Sequence, residues 1–168
     1  MGILNVTPDS FSDGGQFPDA PSAAAFGLEM LAAGADILDI GGESTRPAST
    51  PVPAQEQIRR VVPVIRLIRQ NSAAPISIDT TRWDVAAAAI AAGAGLVNDV
   101  SAGRDDPAML SAVARAGVPI VLMHMLGSPG TMQQNPQYED VTAEVVLAPF
   151  TTWLSGAEVA APKFAVAA

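Results

Sequence analysis

Three times in this sequence an alanine-rich stretch ends in a glycine and runs directly into a short apolar segment: Ala33-Gly34-Ala35, Ala92-Gly93-Ala94 and Ala116-Gly117-Val118. Glycine at such a joint supplies the left-handed residue that closes a helix, so each joint reads as a helix end followed by a strand. Five apolar runs of strand length recur, at 2–5, 36–40, 76–79, 95–99 and 119–124. Between them, 22–33, 54–70, 82–92 and 107–116 carry apolar residues at helical spacing. The chain is therefore a βα repeat. Most of the runs are apolar without alternation, which predicts parallel strands covered on both faces. Thr81-x-x-Asp84 reads as a capping box, and Asp106-Pro107 as a cap residue before a proline at the first helical position. Pro63 falls inside the second helical segment and is expected to kink or split it.

A βα repeat either closes into an eight-stranded barrel of roughly 250 residues or stays an open doubly wound sheet of roughly 150. At 168 residues, length alone favours the open sheet. Against that, the first strand-to-helix turn has no G-x-G-x-x-G or Walker pattern, so the usual nucleotide-binding use of an open sheet has no support. The first two loops, 6–21 and 41–53, are long and rich in Ser, Thr, Asp, Gly and Pro, as functional loops are. The balance of 9 basic against 17 acidic residues, with Lys163 the only lysine, argues against a nucleic acid or an anionic membrane as partner. The absence of cysteine excludes a disulfide scaffold and thiolate metal sites and is compatible with a reducing cytosol. The first residues lack the basic and apolar regions of a signal peptide, and the uncharged stretch 116–138 is too broken by Pro and Gly to span a membrane. The Asn5-Val6-Thr7 glycosylation match reads as chance in that setting.

The more informative regularity is that the apolar runs end in polar side chains: Asn5, Asp39 followed by Glu43, Asp79, Asn98 with Asp99, and His124. Parallel α/β folds bring all such ends to one face and build their sites there. Any one of these residues could simply open a turn or cap the next helix. Asn and Asp are poor strand formers, however, and their repetition favours a shared site.

Met1 to Gly15, Asp39-Ile-Gly-Gly-Glu-Ser-Thr-Arg-Pro47, Ser77-Ile-Asp-Thr80, Val97-Asn-Asp-Val100 and Leu122-Met-His-Met125 resemble the corresponding motifs of dihydropteroate synthase, in order, from Met1 to about Val146. The resemblance implies a TIM-barrel transferase of folate biosynthesis, cytoplasmic, that condenses 6-hydroxymethyl-7,8-dihydropterin diphosphate with p-aminobenzoate and releases pyrophosphate with Mg2+ bound. By the same resemblance Asn5 lies near the magnesium and diphosphate, where a carboxamide oxygen suits a hard cation that keeps most of its waters. Asp79 and Asn98 would bond the pterin ring, through a carboxylate that accepts and a carboxamide that gives and accepts. Thr45 and Arg46 match the second loop, near aminobenzoate and diphosphate, where a planar guanidinium suits an anion. Asp9 would stabilise the cationic pterin methylene left by the departing diphosphate, and Phe11 would shield it from water. Met123 would wall the pterin pocket or serve as ordinary core. His124, the only histidine, is read as structural, and Glu43 and Asp99 as supporting acids.

The chain also departs from the family pattern. A family barrel has eight strands, whereas five are legible here, and the later D-P-G-F-G, S-R-K and R-x-H-D segments have no counterpart. The expected fold is thus a partial TIM (β/α)8 barrel of about five parallel strands, truncated on its C-terminal side, with residues 1–147 as the barrel portion and 148–168 as a divergent tail. Two other functions stay open: a non-catalytic truncated fragment, and a pterin-binding methyltransferase module. The Ser44-Thr45-Arg46-Pro47 loop weighs against the second of these. The expected partners are small-molecule substrates, a homodimer is allowed, and the isolated chain is expected to associate and to lack synthase turnover.

Overall fold

The computed structural model describes residues 1–7, 19–44, 51–126, 131 and 135–145. Among them, strands β1 (Gly2–Asn5), β2 (Leu38–Gly41), β3 (Ile76–Asp79), β4 (Leu96–Asp99) and β5 (Ile120–Leu122) alternate with helices α1 (Ala20–Ala32), α2 (Ala54–Asn71), α3 (Trp83–Ala92) and α4 (Met109–Ala116). Every strand pairing is parallel, and the order across the sheet is β1-β2-β3-β4-β5. A doubly wound sheet reverses its order at a switch point, whereas here each strand lies beside the one before it, as in a (β/α)8 barrel. Topology therefore decides against the open sheet that length favoured. The tail at 148–168 lies outside the described residues.

The pleat sorts side chains onto two faces. Ile3, Asp39, Ser77 and Leu96 form one transverse row, and Asn5, Gly41, Asp79 and Asn98 form the next, one pleat nearer the strand ends. The intervening Leu4, Leu38, Ile40, Ile76, Ile78 and Val97 turn the other way and join Ala23, Val61, Val64, Ile65, Ile68, Val85, Ala89 and Met109 of the helices in one buried core. Strand β3 alternates plainly, in Ile76-Ser77-Ile78-Asp79, yet β2 is buried at all four positions and β3 at three, as expected of parallel strands covered on both faces. Only one face meets helices and must be apolar. The other looks into the barrel, where polar groups are tolerated.

The joints behave partly as expected. Gly34, Gly93 and Gly117 follow their helices at φ of 104°, 121° and 69°. Helix α2 runs unbroken through Pro63, so the expected split does not occur. Pro63 and Arg59, whose carbonyl loses its partner, are both exposed, and water can serve that carbonyl. The capping box at Thr81 does not form. Helix α3 starts at Trp83, whose amide donates instead to Asp106 Oδ2 at 2.8 Å. The other oxygen of Asp106 accepts from Ala108 N at 2.9 Å, so one carboxylate serves the approaches to both α3 and α4, and α4 begins two residues later than Pro107 suggested. Asp19 caps α1 by accepting from Ser22 N and Oγ at 2.9 and 2.6 Å. That helix accordingly starts at Ala20, ahead of the expected Ser22.

Candidate functional site

The row Asn5, Gly41, Asp79, Asn98 crosses four adjacent strands at their C-terminal ends. It brings together three of the residues singled out from the sequence and adds Gly41. A Cβ built on Gly41 would stand 3.4 Å from Asn5 Oδ1 and 3.5 Å from Asp79 Oδ2. These two oxygens therefore face the same gap, which a glycine leaves open. The next residue is constrained from the opposite side, since a Cβ on Gly42 would come within 3.0 Å of Val61 and 3.2 Å of the Gln57 backbone. One glycine opens the mouth, and the other lets α2 approach the strand end.

Side chains of this row reach across a strand. Neighbouring strands are spaced by about 4.8 Å, which would hold β2 and β4 roughly 9 to 10 Å apart in a flat sheet. Yet Asn98 Nδ2 on β4 donates to Asp39 Oδ2 on β2 at 3.0 Å, reaching across β3 on the inner face. Ser77 stands between them in the lower row. Three buried oxygens on this face, Asp39 Oδ1, Ser77 Oγ and Asp79 Oδ1, have no hydrogen-bond partner among the described residues. Leaving such groups unpaired typically costs about 1–3 kcal/mol each, so the face is poised for a ligand or waters that bring donors.

Asp79 is the most perturbed of these groups. Burial, reinforced by the nearby charges of Asp39, Asp99 and Glu43, pushes its carboxyl up to about 7. Asp99 is also raised, chiefly by burial and against the pull of its hydrogen bonds. It lies on the opposite pleat and accepts from Ser101 N, Ser101 Oγ and Gly103 N at 2.8, 2.7 and 2.7 Å, which makes it the organiser of the turn after β4.

Glu43 has a comparable task at the second loop. Its Oε1 accepts from Val52 N at 2.9 Å and its Oε2 from Gln57 Nε2 at 2.7 Å, while the same Gln57 amide donates to Val52 O at 2.9 Å. Arg60 Nη1 adds a bond to Gly42 O at 3.0 Å. The two flanks of the stretch 45–50 are thus tied together through a glutamine that is only 1% exposed. Asp9, Phe11, Thr45 and Arg46 lie outside the described residues. Met123 is half-buried just beyond β5, its amide donating to Asp99 O at 3.1 Å. The His124 ring sits 5.6 Å from that of Tyr138, with Nε2 buried and unpartnered among the described residues.

Sequence reasoning missed Gly41, Gln57 and the Asp39–Asn98 bond. The Gly41-Gly42 pair at a strand end was the available signal for the first. The other two depend on which distant residues packing brings together, and no spacing in the chain encodes that. No group of three or more His, Asp or Glu residues able to hold a metal occurs among the described residues, nor does any helix there long and apolar enough to cross a membrane.

Comparison with known proteins agrees with this geometry. The profile of pterin binding enzymes matches residues 1–151. The dihydropteroate synthase of Synechocystis is 48% identical over 145 residues, covering 86% of this chain and 50% of that protein. The Xanthomonas albilineans dihydropteroate synthase solved with 4-aminobenzoic acid is 51% identical with a TM-score of 0.73, covering 91% of this chain and 52% of that one. A structure of the synthase from the same organism with 7,8-dihydropteroate is 46% identical with a TM-score of 0.72, covering 94% and 56%. The chain spans about half the length of the curated relatives it matches.

Proposed function

The chain belongs to the family of pterin binding enzymes, and we propose that it carries the pterin- and diphosphate-holding part of a dihydropteroate synthase site, acting in cytoplasmic folate biosynthesis. The reaction joins the amine nitrogen of p-aminobenzoate to the methylene carbon of 6-hydroxymethyl-7,8-dihydropterin diphosphate. The carbon–oxygen bond to diphosphate breaks, pyrophosphate leaves with that electron pair, and the amine gives up a proton. The observation that carries this reading is the single row of Asn5, Gly41, Asp79 and Asn98, in which an open gap is bordered by hydrogen-bond acceptors. A planar ring with an edge of N–H donors would relieve the unpartnered oxygens beneath that gap.

Within this reading, Asp79 accepts from the ring once ionised, Asn98 bonds the same edge, and Met123 lies against the ring. Asp9 and Phe11 act on the cationic methylene, the first by its charge and the second by excluding water. Thr45 and Arg46 meet the aminobenzoate and the diphosphate.

The donor set also bears on magnesium. Asn5 Oδ1 faces the open gap, and no carboxylate and imidazole cage exists among the described residues. One carboxamide fits a cation held mainly by waters and substrate phosphate, so Asn5 would hold Mg2+, which when bound would neutralise the leaving pyrophosphate.

Calorimetry with the pterin diphosphate tests the assignment. We expect saturable binding that Asp79→Ala abolishes. Asn5→Ala should weaken it only when both the diphosphate and magnesium are present. Binding indifferent to both substitutions would overturn the proposal.

A further inference from the structure

Asp39 is 5% exposed and sits one pleat below the binding row, on the same inner face. Among the described residues its carboxylate accepts one hydrogen bond, from Asn98 Nδ2 at 3.0 Å. The bond turns the NH2 end of Asn98 toward the Asp39 carboxylate, whose oxygen accepts. Rotating the carboxamide by 180° would set two oxygens against each other at 3.0 Å in a part-buried place. The carbonyl of Asn98 is thereby held on the side away from Asp39, in the same row as Asp79. The unpartnered carboxylate oxygens of Asp39 and Asp79 share this inner face with the Ser77 hydroxyl, which can accept as well as donate, so acceptors outnumber donors on the surface presented.

We propose that Asp39 is a positioning residue that fixes the orientation of the Asn98 carboxamide and so makes the site select ring edges that donate hydrogen bonds over edges that accept them. This rests on the pterin reading and adds a determinant of selectivity to it. Replacing Asp39 by Asn keeps the shape but removes the constraint, because a carboxamide can give or accept and either orientation of Asn98 is then satisfied. A purely structural role would change stability. It would not change which ligand is preferred.

The test uses the 168-residue chain and two probes, 6-hydroxymethylpterin and the corresponding lumazine, in which a carbonyl oxygen replaces the 2-amino donor. Wild type should prefer the pterin by at least about tenfold, the scale set by one lost hydrogen bond to a charged or buried group. In Asp39→Asn the preference should fall to within about threefold. An unchanged preference would overturn the proposal. A readout free of ligand guards against a variant that fails to fold: in wild type the Asn98 side-chain NH2 protons should exchange with solvent at least about tenfold more slowly than those of the exposed Asn135, as a half-buried, bonded amide requires. Equal exchange would refute the Asp39 contact. Protected protons without binding of either probe would uphold that contact and count against the pterin reading.

Discussion

Asp79 shows how a single residue can be costly to the fold and useful to the site. Its carboxyl, near 3.8 in an unfolded chain, titrates at about 7 in the folded one, chiefly because of burial. The folded state therefore holds an extra proton between those values. The resulting stabilisation is fully present below about pH 4 and is lost as the pH rises through 7. Over that window the change is roughly 3 to 5 kcal/mol. Asp79→Asn should accordingly raise stability at pH 8, flatten its decline between pH 4 and 7, and abolish pterin binding; urea unfolding across pH measures the first two. A variant less stable than wild type at pH 8 would contradict the assigned cost of the buried charge. The neighbouring glycines make a second pair of predictions. Gly41→Val should leave the melting temperature nearly unchanged and block ligand binding, because its side chain enters the gap between Asn5 and Asp79. Gly42→Ala should cost about 1–3 kcal/mol, because its methyl meets the backbone of α2. Thermal melts paired with binding titrations separate the two effects.

The elements were legible to the extent that their signals were local. Glycine joints and apolar runs placed β1 and β3 to the residue and the other strands to within two positions, since cap and strand chemistry is written in adjacent residues. Asn5, Asp79 and Asn98 stood out because a polar strand end runs against propensity. What stayed hidden is what curvature and long-range packing decide: the reach of Asn98 to Asp39 across 59 residues, the service of Asp106 to Trp83 across 23, and the tie between Glu43 and Gln57. The Glu43 tie belongs at this scale because it fastens the end of β2 to the start of α2. Gln57→Leu removes both donations from that amide and leaves a Glu43 oxygen unpaired. We expect it to destabilise the fold by about 2–4 kcal/mol and to speed hydrogen exchange at the Val52 amide. Val52 exchange equal to that of wild type would show that the flanks of the loop are held in another way.

At the scale of the molecule, the formal charge of −8 favours solubility, whereas the sheet works against it. Among the described residues β1 pairs only with β2 and β5 only with β4. On the inner face Ile3 is 63% exposed. Open edges beside exposed apolar side chains promote association, so the 168-residue chain by itself should elute above its monomer mass in size-exclusion chromatography, and Ile3→Lys should shift it toward monomer. A wild-type chain that elutes as a monomer at all concentrations would contradict this. Whether four strand ends form one seat for a pterin ring is read by nuclear magnetic resonance of the 15N-labelled chain titrated with 6-hydroxymethylpterin. The largest shifts should fall on Asn5, Gly41, Asp79 and Asn98 and disappear in Asp79→Asn. Shifts centred elsewhere on the chain, or none at saturating ligand, would contradict it.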